Sequence, residues 1–271
     1  MRVGVVGAAG KMGSGACRAV AAQADLELVA AVDAQHAGER LSDVAGRPVP
    51  ALTIFDRLEA LTEAAAEVVV DFTRVDAARA TLGFCASSGI HAVVGTTGFT
   101  AADLEVLAAD FAGPDAGRPN CILAANFSIG AVLMMRFSEL AAPWFDGAEI
   151  VELHHHEKLD APSGTSIATA ERMAGARTTS GMDDFPPDRT VTSVVASARG
   201  GAGPGGVRIH SVRLPGLVAH QEVILGAVGQ SLTIRHDSSD RVSFMDGVVL
   251  SVRSVPEYPG LTLGIEPLLG I

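Results

Sequence analysis

The sequence predicts an α/β fold in two lobes, the first on a parallel sheet and the second an α+β lobe on an open mixed sheet. Three observations lead there. At 271 residues the chain is long enough for two cores. Up to residue 127 short apolar strands alternate with helices, which demands parallel crossovers. From residue 190 strand-like runs follow one another without helices, as in an open sheet. A helical stretch near the end returns the chain to its start, so the expected division is 1–127 with 241–271, and 128–240.

Taken in order, Arg2 to Val6 is a continuous apolar strand, GAAGKMG (7–13) follows it, and SGACRAVAAQA continues as a helix. The spacing is G-x-x-G-x-x-G, not the commoner G-x-G-x-x-G, but the physics carries over. Gly7 permits a tight turn, Gly10 admits a pyrophosphate against the backbone, and Gly13 lets the helix pack on the strand. Ala8, Ala9, Lys11 and Met12 complete the loop. A lone glycine pattern is often a mere turn. The next strand gives it weight: LELVAAVD (26–33) ends in Asp33, about twenty residues past Gly13, where a dinucleotide fold places the carboxylate that binds the adenosine ribose. The first lobe therefore reads as Rossmann-like and dinucleotide-binding. Asp33 also predicts that NADH is used at least as well as NADPH, because a carboxylate repels a 2′-phosphate in a poorly screened cleft. Lys11 and Arg40 are the nearby cations that would soften this preference.

Residues 34–50 read as a loop. EVVVDF (67–72) is a buried strand, DAARATLGFCASSG a helix closed by Gly89, HAVVGTTGF (91–99) a strand, and NCILAANFSIG (120–130) one more. Ligands of such sheets lie beyond the strands' C-terminal ends. That sets Phe72, Thr73 and Arg74, then Gly95, Thr96 and Thr97, then Ala124, Ala125, Asn126 and Phe127 along one crevice. The threonine hydroxyls suit a ribose or a nicotinamide amide; capping of a helix is their plain alternative.

IGAVLMMRFSELAAPWF (129–145) reads as a helix with Val132, Leu133, the stem of Arg136 and Leu140 on its apolar face, ending near Pro143. EIVELH (149–154) alternates as a strand, and Pro162 ahead of SGTSIATAERMA marks a helix start. The free N–H groups at Ser163, Gly164 and Thr165, with the positive end of the helix dipole, suit a carboxylate or phosphate. The loop before them brings Lys158 and up to three imidazoles, His154, His155 and His156. On a strand His154 and His156 point one way and His155 the other, so the triplet does not chelate one ion and no metal is expected.

Residues 178–188 form a polar, Pro-rich loop. TVTSVVASA, VRIHSVRL, LVAHQEVIL and SLTIRHD read as strands of a sheet whose open edge or face predicts a homo-oligomer. RGGAGPGG (199–206) lacks the lysine and hydroxyl of a phosphate loop and reads as a flexible connection. DRVSFMDGVVLSVRSV (240–255) is a helix and LTLGI an edge strand. Arg241, at that helix start, is either merely exposed or faces the crevice between the lobes.

Composition narrows the function. A net charge of −11 with no Lys/Arg run argues against nucleic acid. No apolar run approaches a membrane span and no leader pattern opens the chain. Three widely spaced cysteines without a CxxC suggest neither disulfides nor zinc and fit the cytoplasm.

ELHHHEKLDAPSGT (152–165) is very similar to the signature E-x-H-H-x-x-K-x-D-A-P-S-G-T of the dihydrodipicolinate reductases. GAAGKMG, VDFT, VVGTTGF, ANFSIG, HSVRLPGLVAHQEV and GLTLGIEPLL extend the resemblance over essentially the whole chain, in an actinobacterial style. The resemblance implies a tetramer that uses NADH or NADPH to reduce a cyclic dicarboxylate, 4-hydroxy-tetrahydrodipicolinate, to tetrahydrodipicolinate with loss of water, in lysine and diaminopimelate biosynthesis. It implies His154 as acid/base, Lys158 as proton donor, His155, Ser163, Gly164 and Thr165 as holders of the substrate carboxylates, and a substrate role for Arg241. Two departures stand out. His156 and Glu157 fill the variable places, and Glu157 is expected to pair with Lys158 and hold its pKa up. Ala9 stands where some relatives carry a basic residue, which weakens any contact to a 2′-phosphate. The competing readings are a dinucleotide-sensing regulator and an amino-acid dehydrogenase acting on an open-chain imine.

Overall fold

A computed structural model describes residues 1–271, the side chain of Ala116 excepted. The chain divides into two units, Met1–Ile129 with Arg241–Ile271, and Gly130–Asp240.

The first unit runs β1 (Arg2–Val6), α1 (Lys11–Ala21), β2 (Glu27–Val32), α2 (Leu41–Ala45), β3 (Ile54–Phe55), α3 (Glu59–Glu63), β4 (Val68–Asp71), α4 (Val75–Ser88), β5 (His91–Val94), α5 (Ala101–Asp110) and β6 (Cys121–Leu123). The second comprises α6 (Ile129–Ala141, whose first residue closes the first unit), β7 (Gly147–His154), α7 (Gly164–Thr179), β8 (Gly201–Ala202), β9 (Arg208–Arg213), β10 (Ala219–Ala227) and β11 (Gln230–Ser238). The chain then returns through α8 (Met245–Ser254) and β12 (Leu261–Leu263).

The first unit holds a seven-stranded sheet in the order β12-β6-β5-β4-β1-β2-β3, with every pairing parallel. Helices cover a parallel sheet on both faces, so its central strands are apolar throughout rather than alternating. Val3, Val5, Val68, Val69, Val70 and Val93 are fully buried accordingly. Each such side chain contributes about 1.5–3 kcal/mol. The chain builds β2 and β3 on one side of β1 and β4 to β6 on the other, so the strand order reverses between β1 and β4. A crevice opens beyond the strands' C-terminal ends at such a point. The returning segment is tied down by buried Asn120, whose Nδ2 donates to the Val255 and Pro256 carbonyls and whose Oδ1 accepts from Gly260 N–H.

The second unit holds a five-stranded mixed sheet in the order β11-β10-β7-β9-β8. β7 pairs antiparallel with β10 and parallel with β9. Alternation sends Ala148, Ile150, Ile209, Val223 and Leu225 to one face, where Ala170 and Met173 of α7 and Phe185 cover them. Val151, Leu153, Val212 and Ile224 on the other face remain half-exposed.

Several expectations are corrected. TVTSVVASA forms no strand: Val191 is 99% and Val194 95% exposed. β-Branched residues favour a strand only where a partner and a buried face receive them, and this segment has neither. Residues 199–206 are ordered rather than a loose connection, with β8 pairing antiparallel to β9 and a 3₁₀ turn at Pro204–Gly206. The loop after α7 starts later than expected because the helix runs to Thr179. Residues 34–50 include α2, and β3, α3 and α5 lie in stretches without a clear apolar period; α5 opens with a Thr100/Asp103 capping box. Leu140 is 54% exposed, and α6 instead buries Ala131, Val132, Met134, Met135 and Ser138. The three cysteines are buried and unpaired, and among the described residues no helix is long and apolar enough to cross a membrane.

Candidate functional site

Each unit carries one constellation of interest. In the first, β1 ends in the glycine turn. Gly7 has φ +75°, a conformation costly for any residue with a Cβ. A Cβ on Gly13 would lie 2.0 Å from the Gly7 carbonyl oxygen, so the helix rests directly on the turn. Gly10 caps α1 without a side-chain bond and no acid stands in the first turn. The early N–H groups of that helix, from Lys11 onward, lack intrahelical acceptors and favour an anion. Ala8 is buried, Lys11 exposed and Met12 half-buried. Asp33, one residue past β2, reaches back to this loop: its Oδ2 accepts from Ala9 N–H at 3.1 Å and its Oδ1 from Gln35 N–H at 3.0 Å. Open amides at a helix start beside a carboxylate at the next strand's end fit the pyrophosphate and ribose of a dinucleotide.

Along the strand ends, Phe72 packs edge-on against Phe127 with ring centroids 5.8 Å apart. Gly95 makes the room, since a Cβ there would lie 2.1 Å from Phe72 Cε1. The threonines depart from the expectation of free hydroxyls. Thr73 donates its N–H and Oγ1–H to Asp71 Oδ1 at 2.7 and 2.6 Å, and Thr96 Oγ1 donates to the Thr73 carbonyl at 2.9 Å. Both hydroxyls close the turn rather than face outward. Thr97, Arg74 and Ala125 are exposed, Ala124 is buried, and Asn126 Oδ1 accepts from Ser128 N–H. Asp71 went unsingled in the sequence, yet it is fully buried. Burial pushes its carboxyl pKa up, against the pull of the Thr73 bonds.

In the second unit the site is built where β7 ends and α7 begins. β7 stops at His154, so the strand alternation does not extend to His155 and His156. His154 is half-buried and its Nδ1 lies 2.5 Å from Glu152 Oε2. His155 has a buried Nδ1 without a protein partner. Lys158 donates to both Asp160 oxygens at 2.7 and 2.8 Å. The expected pairing with Glu157 is therefore corrected: two residues on, the loop curls Asp160 back under the ammonium, while Glu157 is exposed. That bond holds the Asp160 carboxyl below the usual range.

Ser163 is the N-cap of α7 and is buried. Its Oγ accepts from Ser166 N–H at 3.2 Å and its N–H donates to Glu152 Oε1 at 3.3 Å. Both polar groups of Ser163 are thus used internally. Gly164 and Thr165 follow in the first helical turn, where N–H groups lack intrahelical acceptors, and nothing lies within 4 Å of where a Gly164 Cβ would stand. Arg241 is exposed and opens the returning segment of the first unit.

Three residues of this site escaped the sequence reading. Glu152 is fully buried. Arg213 forks onto it, Nη1 to Oε2 at 2.7 Å and Nη2 to Oε1 at 2.8 Å, and also donates to the Asp160 carbonyl at 2.7 Å. Gln221, on β10 beside Glu152, accepts from Ser166 Oγ and donates to Thr169 Oγ1. The period-2 pattern did place an acid at an inward position of β7, which was the available signal for Glu152. Arg213 and Gln221 come from other strands and had none.

With this geometry in view, comparison with known proteins gives a consistent result. Residues 1–127 match the family model described as dihydrodipicolinate reductase, N-terminus, and residues 130–269 the one described as its C-terminus. A 4-hydroxy-tetrahydrodipicolinate reductase of Nocardia farcinica is 48% identical, over 100% of this chain and 99% of its own. One of Cutibacterium acnes is 50% identical over the same shares, 100% and 99%. The solved structure of a dipicolinate-bound dihydrodipicolinate reductase from Paenisporosarcina sp. TG-14 is similar with a TM-score of 0.85 at 39% identity, covering 98% of each chain.

Proposed function

The chain belongs to the dihydrodipicolinate reductase family, and on that premise we propose how its residues carry the reaction. It is an NAD(P)H-dependent oxidoreductase that reduces 4-hydroxy-tetrahydrodipicolinate, with loss of water, to tetrahydrodipicolinate in lysine and diaminopimelate biosynthesis. The regulator and amino-acid dehydrogenase readings are not favoured.

The first unit holds the dinucleotide. Its pyrophosphate lies on the loop of Gly7, Ala8, Ala9, Gly10, Lys11 and Met12, its adenosine ribose on Asp33, and its nicotinamide end near Phe72, Thr73, Gly95 to Thr97 and Ala124 to Phe127. When bound, the reduced nicotinamide supplies a hydride. The second unit holds the diacid. The amides of Gly164 and Thr165 receive a carboxylate without mobile charge, with Ser163 fixing their direction. His155 adds a donor for the carboxylates, and a substrate role for Arg241, on the returning segment of the first unit, is proposed on the family resemblance alone. Lys158 meets the negative charge that builds on the ring nitrogen and donates its proton there, and His154 acts as acid/base. The observation that supports this reading is that Lys158, the imidazoles and the helix-start amides all lie on the single strand–loop–helix segment 152–165.

Steady-state kinetics tests it. Pyridine-2,6-dicarboxylate is expected to inhibit competitively against the cyclic substrate; absence of inhibition would point to an open-chain imine instead. With Asp33 bonded to the Ala9 amide, kcat/KM for NADH is expected to equal or exceed that for NADPH. A tenfold preference for NADPH would overturn the cofactor reading.

The half-exposed apolar stripe of the second sheet, flanked by the Glu222–Arg235 and His220–Asp237 pairs, suits a self-complementary contact. A homotetramer is the expected assembly, and light scattering that returns the mass of one chain would exclude it. The buried free thiols suit the cytoplasm.

A further inference from the structure

We propose that Glu152 is a positioning residue of the reaction: its buried carboxylate keeps the His154 proton on Nδ1, leaves Nε2 as the ring's only free nitrogen, and ties that ring to the start of α7. The inference rests on the reading of His154 as a group that touches substrate.

The geometry carries it in three steps. Glu152 and His154 are two apart on β7 and share a face, so the carboxylate lies directly behind the ring. An ionised carboxylate only accepts hydrogen bonds, at about four lone-pair positions. Here both oxygens are engaged: Oε2 by His154 Nδ1–H and Arg213 Nη1, Oε1 by Arg213 Nη2 and the Ser163 amide. Because Oε2 offers no proton, Nδ1 must carry one in both the neutral and the charged ring. Proton traffic is thereby restricted to Nε2.

Glu152 itself does not exchange protons near neutrality. Burial would raise its pKa, but the His154, Arg213 and Ser211 bonds outweigh this and hold it down at about 2. Arg213 has a second effect. Its guanidinium forks onto the same carboxylate, Nη1 to Oε2 and Nη2 to Oε1, and so holds the carboxylate in place behind the ring. The loop after the ring adds His155, His156, Lys158 and Asp160, the last two paired with each other. On the neighbouring strand, His220 is bonded to Asp237 instead. The same carboxylate fixes the N-cap of α7, and Arg213 fixes the Asp160 carbonyl. One group thus sets the ring, the loop and the helix start in a common frame.

The test uses the whole 271-residue chain. In ¹⁵N-histidine NMR, with the His154 signals identified by their loss in His154→Ala, the neutral ring is expected to carry its proton on Nδ1; a proton on Nε2 would overturn the proposal. Glu152→Gln removes the charge at constant shape. It is expected to lower kcat by about 10- to 1,000-fold with KM for NADH unchanged, and to move the pH limb that His154→Ala abolishes to lower pH. Wild-type kcat and an unmoved limb would refute it. Should Glu152→Gln fail to fold over an unpaired guanidinium, Glu152→Gln with Arg213→Met removes both charges and is expected to show the same kcat loss. A wild-type rate in His154→Ala would sink the reading of His154, whereas a slow His154→Ala beside an unaffected Glu152→Gln would sink this inference alone.

Discussion

Lys158→Ala is expected to lower kcat by about two to four orders of magnitude, because a proton donor and a positive charge vanish together. Instability would not explain such a loss. The partner, Asp160, is exposed and remains solvated without the lysine. Exposed ion pairs of this kind contribute only about 0–1 kcal/mol. The variant should therefore melt close to the wild type while turning over far more slowly, which paired melts and kinetics will show. Lys158→Arg separates the two contributions: it restores the charge but holds its proton too tightly to donate, so substrate KM is expected to recover more than kcat. A near-wild-type kcat in Lys158→Ala would refute the assignment.

Gly13→Ala is the second large effect and acts on the other unit. The added methyl would stand 2.0 Å from the Gly7 oxygen, 2.7 Å from its carbonyl carbon and 3.1 Å from Ala8 Cα. All three are backbone atoms, so no rotamer change relieves the clash. β1 cannot yield either, being paired on both sides by β2 and β4. The glycine turn or α1 has to move, and the amides that cradle a pyrophosphate move with it. Overpacking of this sort costs about 1–3 kcal/mol. NADH affinity, read by fluorescence titration, is expected to fall at least about a hundredfold, the loss of more than one charge-assisted contact. Gly10→Ala is the control, since its Cβ would meet only the Gly7 oxygen, at 3.3 Å. It should fold normally and lose affinity through the ligand alone. Unchanged NADH binding in Gly13→Ala would remove the basis for placing the dinucleotide here.

The parts of this fold that were legible share a short range. The valine runs of the central strands, the turn at Gly7 and the helix start after Pro162 are each decided by neighbouring residues. So they read correctly from the chain in order. Lys158 and the amides after Ser163 belong to one continuous segment and were visible for the same reason. Thr190 to Ala198 failed because strand propensity states what a segment would do given a partner, and the fold supplied none.

The sequence by itself determined the two-lobed α/β plan, the glycine turn with Asp33 beyond it, and the ammonium and helix start of segment 152–165. Only the tertiary structure decided who partners whom: Asp160 rather than Glu157 holds Lys158, and Arg213, 61 positions from Glu152, closes the carboxylate behind His154. The physical reason is that strand register is fixed by the sum of many pairings across a sheet. The parallel alignment of His154 with Arg213 is a property of β7 and β9 together and is written in neither alone.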